Sequence, residues 1–596
     1  MNTLKSLSLV WREIADGFKT DPKSIATFER RVNGAGLPFL TIELPSLGKD
    51  LDRALDCGYF QITGRFKTRR DSNLPVFLYE HFVKVFYEDG WIRENPTGIK
   101  ELRQLTLMFY KFSVPFTPSQ ELEATKKFIA TDALVKTSAW HWTLPIVRKY
   151  FESLFPDNPM DIRPHHASGQ TSDRTSNSEK RSKRVFIPSL HHYYSFSYMF
   201  NSENHYHLWR EHSSLDVHEP KSRLAFVPKD SRGPRSICME HHLKMFFQKG
   251  LQAKLYEYTE TYSPAKGFIN FTDQTVNRML AQKASLDCSL ATIDLKDASD
   301  LVSWPLIQSL TRDLPEWAAA LEATRSSVVE TSLGDIPLNK FAPMGSALCF
   351  PIEAFVFWSI CRTITDKVWV YGDDLIVPQQ YVGAVMDRLE QYGLMVNRDK
   401  SLYKGYFRES CGGEYYRGSD ISIVRLKSLG TINYVAFCNN FAEAYNSQVA
   451  DKMISHFEHC SGQIIARAPI SERTARRGLV YYTDHTACTD VFFRRRWNKD
   501  LQRYEIKVPT VVDRAQVDGN LRDEDRLFDW FTQKCVDTSP AESAFHRSVN
   551  EPTGTLMGYN RLASLFETRS QNSLWSRNTK NKFRWVPQWN SPTRSV

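Results

Sequence analysis

No two of the ten cysteines form a C-x-x-C pair, and the sixteen histidines do not fall at zinc-finger spacings beside them. That removes zinc modules and disulfide scaffolds, and leaves reduced, mostly buried thiols of a cytosolic protein as the expectation. The chain has no phosphate loop of the form GxxxxGKS or GxxxxGKT and no internal repeat of about 20 to 50 residues, which excludes P-loop hydrolases and solenoids. Long apolar runs are scarce. The N-terminal MNTLKSLSLVWREIADGF is interrupted at Trp11-Arg12-Glu13 and lacks a secretory h-region and a small-residue cleavage site, so it reads as an amphipathic surface helix. The one run of membrane-span length, FAPMGSALCFPIEAFVFWSI at 341–360, contains Pro343, Pro351 and Glu353, and a buried loop and helix are predicted there instead.

Charge of one sign is not extreme either. Lys and Arg number 77 against 68 Asp and Glu, a net +9 over 596 residues, which favours a polyanionic partner without identifying one. With 41% hydrophobic, 13% aromatic and 24% charged residues, the chain reads as a folded, soluble protein of several packed subregions. Residues 161–184, DIRPHHASGQTSDRTSNSEKRSKR, are too polar to bury a core and read as a mobile loop, either a nucleic-acid contact or a solvated insertion. After Glu567 no acid remains, and six cations alternate with Trp575, Trp585 and Trp589 in a basic tail, 568–596, that binds a ligand or packs back on the body.

Periodicity is informative in the middle of the chain. CSLATIDL at 288–295 predicts a strand ending in Asp294, and LVSWPLIQSLTRDL at 301–314 predicts the following helix. In KVWVYGDDLIVP at 367–378, two β-rich runs flank Gly372-Asp373-Asp374, a hairpin with acids at its tip. Val382, Val385, Met386, Leu389 and Tyr392 are spaced as a helix face, and Gly393 stands where a helix terminator is expected. A strand ending in an acid, upstream of a hairpin bearing two acids, suits two-metal phosphoryl transfer. That chemistry needs hard oxygen ligands on rigid elements converging on paired Mg²⁺ ions, and Asp294, Asp373 and Asp374 are the candidates.

ATIDLKDASD (291–300), APMGSALCFPIE (342–353), VYGDDLIVP (370–378), GLMVNRDK (393–400) and FRESCGGEYYRG (407–418) resemble motifs A to E of RNA-dependent RNA polymerases, in order. The wording of the last three, with LAFVPKDSRGPRSICMEHHLKMFFQKGL (224–251), is similar to the replicases of single-stranded RNA bacteriophages, the leviviruses. The resemblance covers about residues 221–420, and HHASGQTSDRTSN (165–177) resembles a loop of that family more faintly.

The resemblance implies several roles. Asp294 and Asp373 match the principal metal ligands, and Asp374 the lesser one, with two Mg²⁺ ions as cofactor. Ser299 and Asp300 match the pair that senses the ribose 2′-hydroxyl; read from the residues alone, they are equally good N-caps for the LVSWPL helix. Asp297 has no assigned role. Met344, Gly345 and Ser346 match the motif B loop that approaches template and nucleotide, whereas Cys349 and Pro351 depart from the family pattern and Cys349 reads as core. Lys229, Arg232 and Arg235, in a segment broken by Pro228, Gly233 and Pro234 and so a loop or hairpin, match the motif F cations that grip the triphosphate; the alternative is a solvated basic turn. Lys400 matches the motif D lysine that protonates pyrophosphate, with Arg398 as a neighbouring alternative.

The predicted fold is α+β, a right-hand polymerase of fingers, palm and thumb with a mixed α/β palm. Its expected division is 1–220 N-terminal and fingers segments, 221–279 fingers with motif F, 280–406 catalytic palm, 407–430 motif E, and 431–596 thumb and C-terminal region. The partners implied are RNA template and product, ribonucleoside triphosphates, the bacterial elongation factors Tu and Ts and a ribosomal protein, with no membrane, in the cytoplasm of an infected bacterial host. A reverse transcriptase and a non-catalytic RNA-binding scaffold are the rival readings. Asp300 and VPKDSRGPR disfavour the first, and the intact acidic trio disfavours the second.

Overall fold

The structure, a computed structural model, describes residues 3–135, 140–176, 179–199, 207, 210, 216–462, 465, 467–469, 481–483, 495–513 and 579–587. Its architecture is mixed helix and sheet of the α+β class. LATI, at Leu290–Ile293, is buried at all four positions and apolar at three of them, as a strand covered on both faces tends to be. It pairs antiparallel with Asp374–Pro378, which in turn pairs with Trp369–Tyr371, so Asp374–Pro378 is the middle strand of three. The predicted hairpin is therefore present, its two-residue turn being Gly372-Asp373. Gly372 has φ +62°, and a Cβ there would lie 2.1 Å from the Phe350 ring, so the turn accepts no larger residue.

Helices back this sheet. Cys349–Cys361 has 12 of its 13 residues buried, which is why its sequence is apolar all round. Among the described residues no helix is long and apolar enough to cross a membrane. Val382–Gln391 buries Val382, Val385, Met386 and Leu389 on one face, and the chain leaves it through Gly393 at φ +85°. The N-terminal helix, Thr3–Gly17, buries Leu7, Val10, Trp11, Ile14 and Ala15, the amphipathic pattern expected.

One boundary differs from expectation. The helix predicted over 301–314 spans only Trp304–Leu310, and a 3₁₀ turn, Ser299–Leu301, precedes it. Ser303, not Ser299 or Asp300, is the N-cap, its Oγ accepting the Leu306 N–H at 3.1 Å. Pro305 in the first turn starts the helix there, because it has no N–H to satisfy and its φ is already helical.

VPKDSRGPR forms a hairpin of Ser222–Asp230 and Gly233–Met239, with a bulge between Pro228 and Asp230. This hairpin extends through Val328–Thr331 and Gly334–Pro337 into a four-stranded sheet, and helix Pro118–Ala133 packs against strand Gly233–Met239 and the 3₁₀ turn. One hydrophobic core surrounds the three-stranded sheet. A second joins residues between Leu7 and Phe112 to residues between Leu402 and Ile465, so segments far apart in the sequence share an interior.

The polar stretch 161–184 is anchored at several points. Thr171, Thr175 and Lys180 are buried, and Lys180 Nζ donates to the carbonyls of Ala167 and Gly169. All eight cysteines among the described residues are free thiols, and five of them are buried. Of the basic tail, Thr579–Pro587 is a strand paired antiparallel with Arg503–Asp513, and Trp585 lies beneath the Arg496 guanidinium at 4.4 Å. The rest of the tail lies outside the described residues.

Candidate active site

The antiparallel register decides where the acids meet. Ile293 is opposite Leu375, so Asp294 leaves its strand at the end where the hairpin turn carries Asp373 and Asp374. Asp294 is fixed from three sides: Asn397 Nδ2 donates to Oδ2 at 2.6 Å, Lys400 Nζ lies 3.6 Å from the same oxygen, and the Asn397 N–H donates to the Asp294 carbonyl at 2.9 Å. Loss of hydration among the cleft walls, then the charge of Asp294, raises the Asp373 carboxyl above its usual range, although its side chain reaches solvent. Asp374 turns elsewhere. Its Oδ2 accepts the Cys411 N–H at 3.1 Å, in the turn of the Phe407–Ser410 and Gly413–Tyr416 hairpin. Burial first, and the charges of Asp373 and Glu409 after it, push Asp374 up to about 7. Asp294 and Asp373 are thus the facing pair, and Asp374 is the lesser partner.

Hard anionic oxygens brought together, with the charge of Asp294 acting to raise Asp373, are a donor set suited to a divalent cation, which removes their mutual repulsion. Asp294 and Asp373 fit that role, with Asp374 behind them.

Cations face these acids. The charges of Arg235 and Lys400 act against the upward shift of Asp373. Lys229 is lowered, by burial first and then by the neighbouring charges of Arg235 and Lys400, so the three form one positive group. Lys400 is raised, since Asp294 and Glu409 outweigh the desolvation that opposes its charge. Arg232 is committed elsewhere: its guanidinium grips Asp230 and reaches the Tyr110 hydroxyl at 2.7 Å. Arg398 pairs with Glu390 at 3.0 Å on the exposed side of its segment, which leaves Lys400 as the lysine near the acids.

Gly345 has φ +117°, and a Cβ on it would lie 2.2 Å from the Cys238 carbonyl oxygen, so this loop packs backbone against the basic hairpin. The Ser346 hydroxyl is nearly buried and hydrogen-bonded to Gln248 Oε1 at 3.1 Å, which also accepts the Ala347 N–H. Cys349 is buried, as the core reading expected, with Sγ 4.0 Å from the carboxyl of Glu353. Burial, then the charges of Asp373 and Asp300, holds Glu353 far above the usual carboxylate range. Asp300 is paired with Lys340 at 2.9 Å, and Asp297, at φ +48°, with Lys127 at 3.1 Å.

Sequence reasoning missed Asn397, Gln248 and Lys340. Asn397 lies within GLMVNRDK and could have been found there as a short amide three residues before Lys400. Nothing local marks the other two.

Among the described residues Asp173, His241 and His242 have metal-like composition. Both ring nitrogens of His242 are already engaged, Nδ1 with Asp173 Oδ2 at 2.6 Å and Nε2 with the Lys183 carbonyl at 3.3 Å. His241 Nδ1 accepts the Leu243 N–H at 3.3 Å as a helix cap, which places the ring proton on Nε2. The cluster is a cap and a hydrogen-bonded pair.

Residues 208–437 match the family model of the RNA replicase, beta-chain. The match contains every acid and cation of the site and less than half of the chain. The RNA-directed RNA polymerase beta chain of Enterobacteria phage fr is 36% identical over 207 residues, which are 34% of this chain and 37% of that one. The corresponding subunit of Escherichia virus Qbeta is 32% identical over 231 residues, 37% of this chain and 38% of its own. The similarity therefore spans little more than a third of these relatives. A solved structure titled "RdRp complex" aligns over 70% of this chain and 44% of its own at 9% identity, with a TM-score of 0.41.

Proposed function

We propose that this chain is an RNA-directed RNA polymerase that copies a single-stranded RNA phage genome. The observation that carries the reading is the meeting of Asp294 and Asp373 at one end of an antiparallel sheet, with Lys400 3.6 Å from Asp294, Arg235 acting on Asp373, and Lys229 beside these two cations. The similarity of residues 208–437 to replicase beta chains supports it.

In this reading the nascent 3′-hydroxyl attacks the α-phosphorus of a ribonucleoside triphosphate in line, and pyrophosphate leaves. Asp294 and Asp373, with Asp374 as the lesser ligand, hold two Mg²⁺ ions; bound there, the pair supplies Lewis-acid activation of the hydroxyl and neutralisation of the leaving oxygens. Asn397 and Lys400 hold the Asp294 carboxylate in place through the same oxygen. Lys229 and Arg235 bind the triphosphate, and Arg232 stiffens the hairpin that presents them through its grip on Asp230. Lys400 donates a proton to pyrophosphate, and Asp300, beside Ser299, accepts a hydrogen bond from the ribose 2′-hydroxyl. Gly345 and Ser346 line the approach of template and nucleotide. The three-stranded sheet and its helices are then the palm, and the basic hairpin belongs to the fingers. The work is done in the cytoplasm of the infected bacterium, with elongation factors Tu and Ts and a ribosomal protein as partners.

The test is Mg²⁺-dependent incorporation of labelled ribonucleotide on an RNA template by Asp373→Asn and wild-type protein, with filter binding of RNA as control. Asparagine keeps the shape and removes the charge, so incorporation should fall by several orders of magnitude while RNA affinity holds. Near-normal synthesis by the variant sinks the assignment of Asp373. No synthesis by the wild type, with its host proteins present, favours the scaffold reading.

A further inference from the structure

We propose that Lys340 is the positioning residue for the ribose-sensing carboxylate, and that helix Pro118–Ala133, outside the replicase-like segment, helps to set ribonucleotide selectivity through it. The proposal rests on the reading of Asp300 as the 2′-hydroxyl acceptor.

Lys340 is fully buried, and its Nζ donates to Asp300 Oδ1 at 2.9 Å. Nζ also lies 3.8 Å from Asp132 Oδ1 and 3.8 Å from the centroid of the Phe128 ring, both on helix Pro118–Ala133. Burying a long cationic side chain is costly without hydrogen bonds and opposite charge around it, and this one has both. The distances assign its main partner. Asp132 is already satisfied by the backbone N–H groups of Asn339 (2.9 Å) and Lys340 (3.1 Å) and by the Asn339 side chain (3.2 Å). Asp300, by contrast, takes its side-chain hydrogen bond from Lys340.

The backbone that carries Lys340 is held with similar care. Arg325 donates to the carbonyls of Leu338 and Lys340 at 2.9 Å each and to that of Phe341 at 3.1 Å. The Trp304 N–H donates to the Asn339 carbonyl at 2.8 Å, and the Phe341 N–H to that of Val302 at 2.7 Å, tying the segment to the turn that bears Asp300. The same helix reaches the other side of that turn, where Lys127 pairs with Asp297 at 3.1 Å.

A carboxylate with one oxygen fixed by an immobile cation keeps its other oxygen aimed, which is what discrimination by a single hydroxyl requires. Without the cation the carboxylate is free to rotate, and the site loses its preference while its grip on the triphosphate remains. Asp300 is partly open to the cleft, with 23% of its side chain exposed, whereas Lys340 cannot touch substrate.

The experiment compares kcat/KM for a ribonucleotide and its 2′-deoxy analogue on an RNA template. It uses wild type, Lys340→Met, Lys340→Arg, Asp300→Ala and the Lys340→Met/Asp300→Ala double variant, each checked by melting. Lys340→Met should lower the ribo-to-deoxy ratio by about ten- to hundredfold, mainly through the ribonucleotide KM. The double variant should be no less selective than Asp300→Ala, and Lys340→Arg should restore part of the ratio. Should Lys340→Met fail to fold, Lys340→Gln, which removes the cation and shortens the reach toward Asp300 while staying polar, should lower the ratio in the same direction. Equal losses for both substrates, with the wild-type ratio kept, overturn the role of Lys340 while leaving Asp300 untouched. An unchanged ratio in Asp300→Ala removes the sugar reading itself, and absence of incorporation by the wild type removes the polymerase reading.

Discussion

Arg103 joins the N-terminal helices to the Gly413–Tyr416 hairpin strand, and its loss has a calculable cost. It is buried on helix Pro96–Leu107, where Nε donates to Asp52 at 2.7 Å and Nη1 to Glu414 at 3.1 Å and to the Ile421 carbonyl at 2.7 Å. Glu414 sits on the hairpin strand Gly413–Tyr416, beside the turn that holds Asp374. Replacing Arg103 by Met keeps the stem volume and strands two acids. Asp52 has 26% of its side chain in solvent and can rehydrate, and buried Glu414 keeps Arg425 at 2.6 Å. Removing one partner of a buried pair costs about 3–5 kcal/mol, and these remaining contacts place Arg103→Met near the lower end, about 3 kcal/mol. Adding Glu414→Gln removes the carboxylate that Arg103→Met has already deprived of one partner, so the double variant should lose less than the sum of the two single variants. The assay is urea unfolding of the full chain at neutral pH, read as midpoints of the transition that reports on residues 3–112. A loss below about 1 kcal/mol in Arg103→Met, or a double variant that is worse by the sum of the singles, would refute the argument.

Gly345→Ala should cost about 2–4 kcal/mol and depress incorporation, because its Cβ would meet the Cys238 carbonyl at 2.2 Å at φ +117°, while Gly383→Ala, in an open helical position, should be neutral or stabilising. Thermal melts of the two variants check the contrast, and equal effects would count against it. His81 is buried against Thr20 at 2.9 Å, and burial first, then Lys84, lowers it from 6.5 to about 4. The unfolded chain takes up a proton below pH 6.5 that the folded one refuses, so stability falls by about 1.4 kcal/mol per pH unit, about 3 kcal/mol in all, as pH drops toward 4, and is unaffected above 6.5. In His81→Gln the difference between unfolding midpoints at pH 7 and pH 4.5 should shrink; an unchanged difference contradicts the assignment.

Elements whose signal is local were legible in the sequence. The strand ending at Asp294, the hairpin at Gly372-Asp373, the amphipathic helix over Val382–Gln391 and the buried helix Cys349–Cys361 follow from period, turn chemistry and apolarity, which act within a few residues. The start of the helix after Asp300 was misread because Ser299, Asp300 and Ser303 are all good caps. Pro305 and the pairing of residues 302–304 with 339–341 chose among them.

The partners of the site residues were beyond local reach. Arg232 and Arg235 look alike in sequence, yet one is spent on Asp230 and the other faces the acids, because Arg232 sits in the turn two residues past Asp230 whereas Arg235 lies on the returning strand. The sequence alone determined which carboxylates and cations are available, since chemistry resides in residue type and short spacing. The tertiary structure alone decided that Lys340 would hold Asp300, Asn397 would hold Asp294 and Asp374 would turn to Cys411. Those contacts join segments between 37 and 103 residues apart, and no local rule encodes a pairing that exists only once the chain has packed.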